Sequence, residues 1–238
     1  MQTLAPWFTC IAPDLPGYGC SSPLPQPPQT LADYLPLLQD FFAGFLEEPS
    51  DRFQLYGTAT GAQLGIAYSL RFSEEIDHLW LDNCAHFTEE QCAHLLQHYF
   101  PHFTSHPDGV HLQQLWAHVV ASTQFFPWFD PQPHNRFAAA PPPAPLLQEM
   151  VNDYLAAGTG YSTAYILAFL HERAQHVQSL NCDTTIFRWA GSPLLKYIDQ
   201  LLQHSLPANI TVHHTPAAPA DRLREMTRIM QPVPSLTP

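Results

Sequence analysis

Positive charge is what this chain has least of. Only nine of its 238 residues are Lys or Arg, a single one of them Lys (Lys196), against 21 Asp and Glu, which leaves a formal charge of −12. No basic surface exists to neutralise phosphates, so neither nucleic acid nor an anionic membrane is expected as a partner. Charge of either sign is scarce, at 13% of residues where about 25% is usual. The five cysteines (Cys10, Cys20, Cys84, Cys92, Cys182) are odd in number and scattered, with no C-x-x-C pair. That spacing excludes a disulfide framework and a zinc knuckle and predicts reduced, mostly buried thiols. No apolar run is long enough to span a bilayer and no charged-then-apolar leader opens the chain, so the expected location is the cytoplasm. Nothing in the sequence asks for a cofactor. What is abundant is apolar surface, 45% of residues, together with 25 prolines. The length suits one core, or one core carrying an insertion.

The order of patterns indicates how that core is built. Phe8–Asp14 is a short apolar run closed by Pro16-Gly17, a strand signature, and Thr30–Asp33 resembles a capping box before a helix that Pro36 must kink or shorten. Phe53–Gly57 predicts a strand, Thr60–Phe72 a helix rich in small residues, and Ile76–Asp82 another strand. Alternation returns late, with strands at 184–189 and 209–214 and helices at 193–202 and 219–230. Between them lie four helical patterns, at 89–100, 110–126, 145–157 and 162–180, and no convincing strand. The expected fold class is α/β: a mainly parallel, doubly wound sheet formed by residues 1–85 and 181–238, with an inserted helical cap at 86–180.

Ile11–Gly19, followed by Gly57-Thr58-Ala59-Thr60-Gly61 between a strand and a small-residue helix and then by a helical block, resembles the α/β-hydrolase superfamily over most of the chain. The resemblance implies that 57–61 is the nucleophile elbow, G-x-S-x-G in that family. There a sharp strand-to-helix turn holds the nucleophile above the sheet, and the N–H of the next residue, here Thr60, donates to an oxyanion. The threonines flanking the centre resemble a G-T-H-T-G version of the same turn. Yet the central residue is Ala59, and a methyl group cannot attack a carbonyl. Read without the family, 57–61 is a tight turn into a helix.

The rest of a triad is equally thin. Asp82, closing the strand after the elbow helix, matches one family position for the acid and reads equally well as a loop Asp bonding nearby amides. The loop where the family carries its base, Thr215–Ala220, contains no His; His213 and His214 precede it within a strand. The family's early strand with its His-Gly oxyanion loop is also absent. Its loss is expected either to open the middle of the sheet or to draw the 8–13 strand inward against the elbow strand, and it is expected of a fragment or a miscalled start. Thr58, His86 and Trp128 are the expected substrate-pocket residues.

His94, His98, His102 and His106 recur every four residues, but Pro101 and Pro107 interrupt them and no Glu or Cys completes a ligand set, so no metal is expected. The aromatic run 125–129 reads as core or as the wall of an apolar pocket. Two functions follow. One is a hydrolase of a small apolar ester, amide, lactone or carbon–carbon bond, impaired in this form. The other is a non-catalytic relative, a pseudoenzyme that binds a small molecule or a protein.

Overall fold

A computed structural model describes residues 2–48 and 50–231. After a 3₁₀ turn at Leu31–Tyr34 come α1 (Leu35–Ala43), β1 (Phe53–Thr58), α2 (Thr60–Arg71) and β2 (Ile76–Asp82). Pro36 has no N–H to give and therefore sits in the first turn of α1, where none is needed. The Asp33 carboxylate takes the N–H groups of Gln29 and Thr30 at 2.7 and 2.9 Å, as the capping pattern predicts.

Between β2 and the next strand the described elements are helical: α3 (Glu89–His98), α4 (Val110–Ser122), α5 (Ala144–Ala157), α6 (Thr163–His171) and α7 (Ala174–Gln178). The single helical pattern expected over 162–180 is thus two helices, broken at Glu172–Arg173. Then follow β3 (Thr184–Trp189), α8 (Leu195–Leu201), β4 (Ile210–Thr215) and α9 (Pro219–Met230).

The four strands pair in the order β1-β2-β3-β4, all parallel. Parallel strands are covered on both faces and read as apolar runs for that reason. On one face Leu79, Leu81 and Ile186 pack beneath Ala62, Leu64 and Ile66 of α2 and Leu35 and Leu38 of α1. On the other, Trp80 and Phe187 stack with ring centroids 5.8 Å apart and meet Met226 and Met230 of α9. Phe87, fully buried, ties the helical segment to this core. Its ring meets Phe169 of α6 at 5.3 Å and Tyr197 of α8 at 4.7 Å, both edge-on.

The strand expected at Phe8–Asp14 does not form. Residues 8–15 are irregular: among the described residues no strand pairs with them, and Pro13 lacks an N–H to give to a ladder. They do not move inward against β1 either. Instead a groove of about 750 Å³ lies between Thr9–Leu15 and β1, roofed by Leu38, Phe42, Leu64 and Tyr68 and floored by Leu223, Met226 and Met230. β1 is therefore an edge strand.

Two outcomes test this architecture. Phe87→Ala should cost about 3–5 kcal/mol in chemical denaturation, the usual penalty for emptying a buried aromatic site; a loss below 1 kcal/mol would mean that the helical segment is not anchored there. The second concerns His118 of α4, whose ring is enclosed by Phe103, Trp128 and Tyr154 and bonds the Tyr154 hydroxyl at 3.1 Å. Burial lowers its pKa to about 4, against about 6.5 in an unfolded chain. As pH falls the unfolded state takes up the proton first, so this contribution is intact above about pH 6.5 and is lost on the way down to about 4. The urea midpoint should drop between pH 7 and pH 5, and His118→Gln should drop less over that interval; equal drops would contradict the assignment.

Candidate functional site

The turn from β1 into α2 has the geometry of an elbow. Ala59 sits at φ 49°, ψ −115°, a region that costs a residue with a side chain about 1–3 kcal/mol and persists only where its surroundings enforce it. Two features enforce it here. The Ala59 N–H donates to Asp82 O at 3.1 Å, and its carbonyl accepts from the N–H groups of Ala62 and Gln63 at the start of α2. Gly57 is indispensable for the approach: a Cβ there would stand 2.2 Å from Gly61 O. Gly61, by contrast, has open space where its Cβ would be. Thr60 opens α2, whose first N–H groups face outward as at any helix N-terminus.

Asp82 closes β2 beside the elbow and is 1% exposed. Its Oδ2 accepts the Tyr56 hydroxyl at 2.9 Å and, more weakly, the Thr58 hydroxyl at 3.4 Å. It also pairs with the Arg222 guanidinium of α9, which in turn lies over the Trp189 ring at 4.5 Å. Burial, and then the neighbouring Asp82 carboxylate, push the Tyr56 hydroxyl well above its ordinary pKa, so it stays a proton donor. The chain of bonds continues outward. Asn83, at φ 49°, donates to Thr58 Oγ1 at 3.1 Å and accepts from Ser192 Oγ at 2.6 Å. Among the described residues no imidazole hydrogen-bonds Asp82. The carboxylate at the expected acid position holds a guanidinium where a triad would hold a histidine.

The structure thus brings Thr58, Ala59, Thr60 and Asp82 together and places the other two sequence candidates elsewhere. His86 accepts the Ala174 N–H at 3.3 Å and meets the His204 ring edge-on at 4.9 Å; burial, then His204, lower its pKa. Trp128 donates its indole N–H to Tyr99 O at 2.9 Å. Neither lines the groove beside β1 or a second cleft of about 450 Å³ between Phe126, His134–Phe137 and the β3–α8 turn. Thr58, Gly57 and Gly61 line the groove. The aromatic run divides its work: Phe126 packs on Phe87 and Tyr197, while Phe129 lies against His94 and His98. His94 and His98 face one another on α3 at 4.7 Å, whereas His102 and His106 fall beyond it. Among the described residues no group of three or more His, Cys, Asp or Glu side chains is placed to hold a metal ion, and no helix is long and apolar enough to cross a membrane.

Sequence reasoning passed over three members of the Asp82 cluster. Tyr56 had a visible signal, since it alternates with Thr58 and so shares its face. Asn83 had a weaker one, being next to Asp82. Arg222 had none, because pairing over 140 residues depends on where α9 lands. It also passed over a second buried polar set, in which Gln63 of α2 bonds both the His171 ring (3.0 Å) and the Glu172 carboxyl (3.5 Å). Burial raises the Glu172 pKa well above its ordinary value and lowers that of His171 to about 4, so His171 is uncharged at neutral pH.

No protein-family profile and no curated protein sequence matches the chain. Solved structures do. The chain is similar to a meta-cleavage product hydrolase, CumD, from Pseudomonas fluorescens, in a serine-to-alanine variant complexed with acetates, with TM-score 0.61 and 15% identity over 96% of this chain and 80% of that one. An esterase from Exiguobacterium antarcticum matches with TM-score 0.58 and 13% identity over 91% and 78% of the two chains. Est816, described as an N-acyl homoserine lactone degrading enzyme, matches with TM-score 0.55 and 11% identity over 90% and 78%. The fold is that of the α/β-hydrolases.

Removing one partner of a buried ion pair strands the other charge, typically at about 3–5 kcal/mol, whereas replacing both by apolar groups is often neutral. Arg222→Met should accordingly destabilise by about that amount, and Asp82→Leu combined with Arg222→Met should recover most of it in a denaturation cycle. Strictly additive single and double variants would show that the pair is not coupled.

Proposed function

We propose that this chain is a non-acylating protein of the α/β-hydrolase fold, one that holds a small, largely apolar molecule beneath the helical segment 86–180, acting as a cap, and does not cleave it by a covalent serine-type route. The observation that carries this reading is the elbow: its strained turn and its close glycine contact are kept, while its tip is the methyl of Ala59. Acyl transfer needs a lone pair at that point and a base to free it. Asp82 supports the same reading, since its carboxylate is neutralised by Arg222 and orients no imidazole among the described residues. The ligand class is carried over from the neighbours, which are named for an esterase activity, a lactone and a meta-cleavage product, and the cleft of about 450 Å³ is of a size for such molecules. Phe126, Phe137 and Tyr197 give it apolar walls, and Ser192, Arg136 and Lys196 give it polar ones.

The reading has a direct test. Ala59→Ser restores one hydroxyl without a base, and since triad members act as a unit, one member recovers little. The hydrolysis of p-nitrophenyl acetate and butyrate should rise less than about 10-fold over wild type, and a fluorophosphonate probe should label neither protein. A gain of about 100-fold, the scale on which single elements of such sites act, or stoichiometric labelling of Ala59→Ser would reveal a working base and overturn it.

A further inference from the structure

Cations are the scarcest groups in the chain, nine of 238 residues, and four of them pair with a carboxylate: Arg188 with Asp199, Arg222 with Asp82, Arg224 with Asp221 and Arg228 with Glu225. Two that do not, Arg136 and Lys196, line the same cleft, the one between the 134–137 segment and the β3–α8 turn. Each lies over an aromatic ring instead of against an acid. The Arg136 guanidinium sits 4.7 Å from the centroid of Phe125 and gives one N–H to Ala139 O at 3.1 Å; the Lys196 ammonium sits 5.3 Å from the centroid of Tyr197. Among the described residues neither has a carboxylate within ion-pair distance. Other polar groups of the cleft are already engaged. Ser192 Oγ donates to Asn83 at 2.6 Å and accepts the Leu194 N–H at 2.9 Å, and Asn135 Nδ2 donates to the Asp130 carboxylate at 2.8 Å. Asp199, the one acid in the lining, is held by Arg188 through both oxygens, at 2.5 and 2.7 Å, so those two charges cancel locally. The cleft is left with two positive charges in a chain whose formal charge is −12.

Resting on the reading that this cleft holds a small molecule, we infer that its ligand is a monocarboxylate with a compact apolar body. The carboxylate meets Arg136 and Lys196, and the body lies against Phe126, Phe137 and Tyr197. A planar carboxylate takes two N–H groups of a guanidinium in parallel, which a hydroxyl or an ester carbonyl cannot do. A neutral ligand would fill the apolar walls and leave both cations without a counter-charge, and a cationic one would be repelled by them. A dianion would carry its second charge into the aromatic wall, against the negative field of the whole chain. A free acid also suits a site that does not acylate, since it has no bond for a serine-type route to cleave. Both cations are exposed, and ion pairs in such positions are individually weak and screened by salt. The preference for the acid is therefore modest and falls as ionic strength rises.

The probes are 4-phenylbutyrate and its neutral amide, 4-phenylbutyramide, which differ in charge and hardly in shape, each titrated into the whole chain at neutral pH and followed by NMR shifts of the protein amides. At low salt the acid should bind about 10-fold more tightly than the amide, the scale of two exposed ion pairs, and the gap should narrow at about 0.5 M salt. Arg136→Gln and Lys196→Gln should each cost the acid about 3-fold and leave the amide unchanged. The double variant should bind the two probes alike, and Lys196→Arg should keep the preference. The unchanged amide affinity checks that the variants keep the fold. Equal affinity of the wild type for acid and amide, or a preference for the acid that survives the double variant, would overturn the proposal and leave the non-acylating reading standing. Saturable binding of neither probe would overturn it as well. Failure of the non-acylating reading is seen separately, as a gain in rate or labelling by Ala59→Ser.

Discussion

Everything at the candidate site depends on β1 having, among the described residues, a paired strand on one side only. A parallel strand in mid-sheet is fixed by two ladders; β1 is fixed by β2 alone, through the register that sets Gly57 opposite Leu81 and Thr58 opposite Asp82. The strained residue Ala59 hangs from the end of that strand, so what holds the elbow is the β2 ladder, the Ala59 N–H to Asp82 bond and the glycine contact with α2. The side chains of the strand add a further anchor. Tyr56 and Thr58 both reach the Asp82 carboxylate, and Gln54 accepts the Trp80 indole N–H at 3.0 Å. One-sided pairing is compensated by hydrogen bonds that run from β1 to its single neighbour.

The Asp82 cluster follows from the same constraint. A buried carboxylate needs a counter-charge and donors, and here they come from β1, from α9 and from nowhere in the β4–α9 loop, which carries no histidine. Arg222 is one of only nine basic residues in the chain, and its engagement with Asp82 and the Trp189 ring locks α9 over the sheet. The cluster thereby fastens a helix and an edge strand: Arg222 ties α9 to β2, and Tyr56 and Thr58 tie β1 to it.

How much of this was legible in the sequence varies with the range of the interaction. The strands at 53–57, 76–82 and 184–189 and the helix from Thr60 are local patterns, apolar runs bounded by turn residues, and they fold where the pattern says. The elbow was legible because Gly57 is required by one local contact. Phe8–Asp14 has the same local pattern as the strands and is not one, since a strand exists only with a partner and none pairs with it among the described residues. Arg222 and Glu172 were not legible for a related reason: a charge seeking its partner over 140 residues, or a carboxyl buried at a helix break, leaves no periodicity behind. His86 and Trp128 lie in loops of the right apolar character, and only the packing of the helical segment sends them to Ala174 and Tyr99.

The open edge can be measured residue by residue. Amide hydrogen exchange followed by NMR on the chain alone should find Leu55 and Gly57, whose N–H groups bond β2, exchanging slowly, and Gln54, Tyr56 and Thr58, facing the groove, exchanging at least ~10-fold faster, the pattern of alternate protection that a one-sided strand requires. Uniform protection along Phe53–Thr58 would contradict the account, because it would mean that β1 already has a second partner.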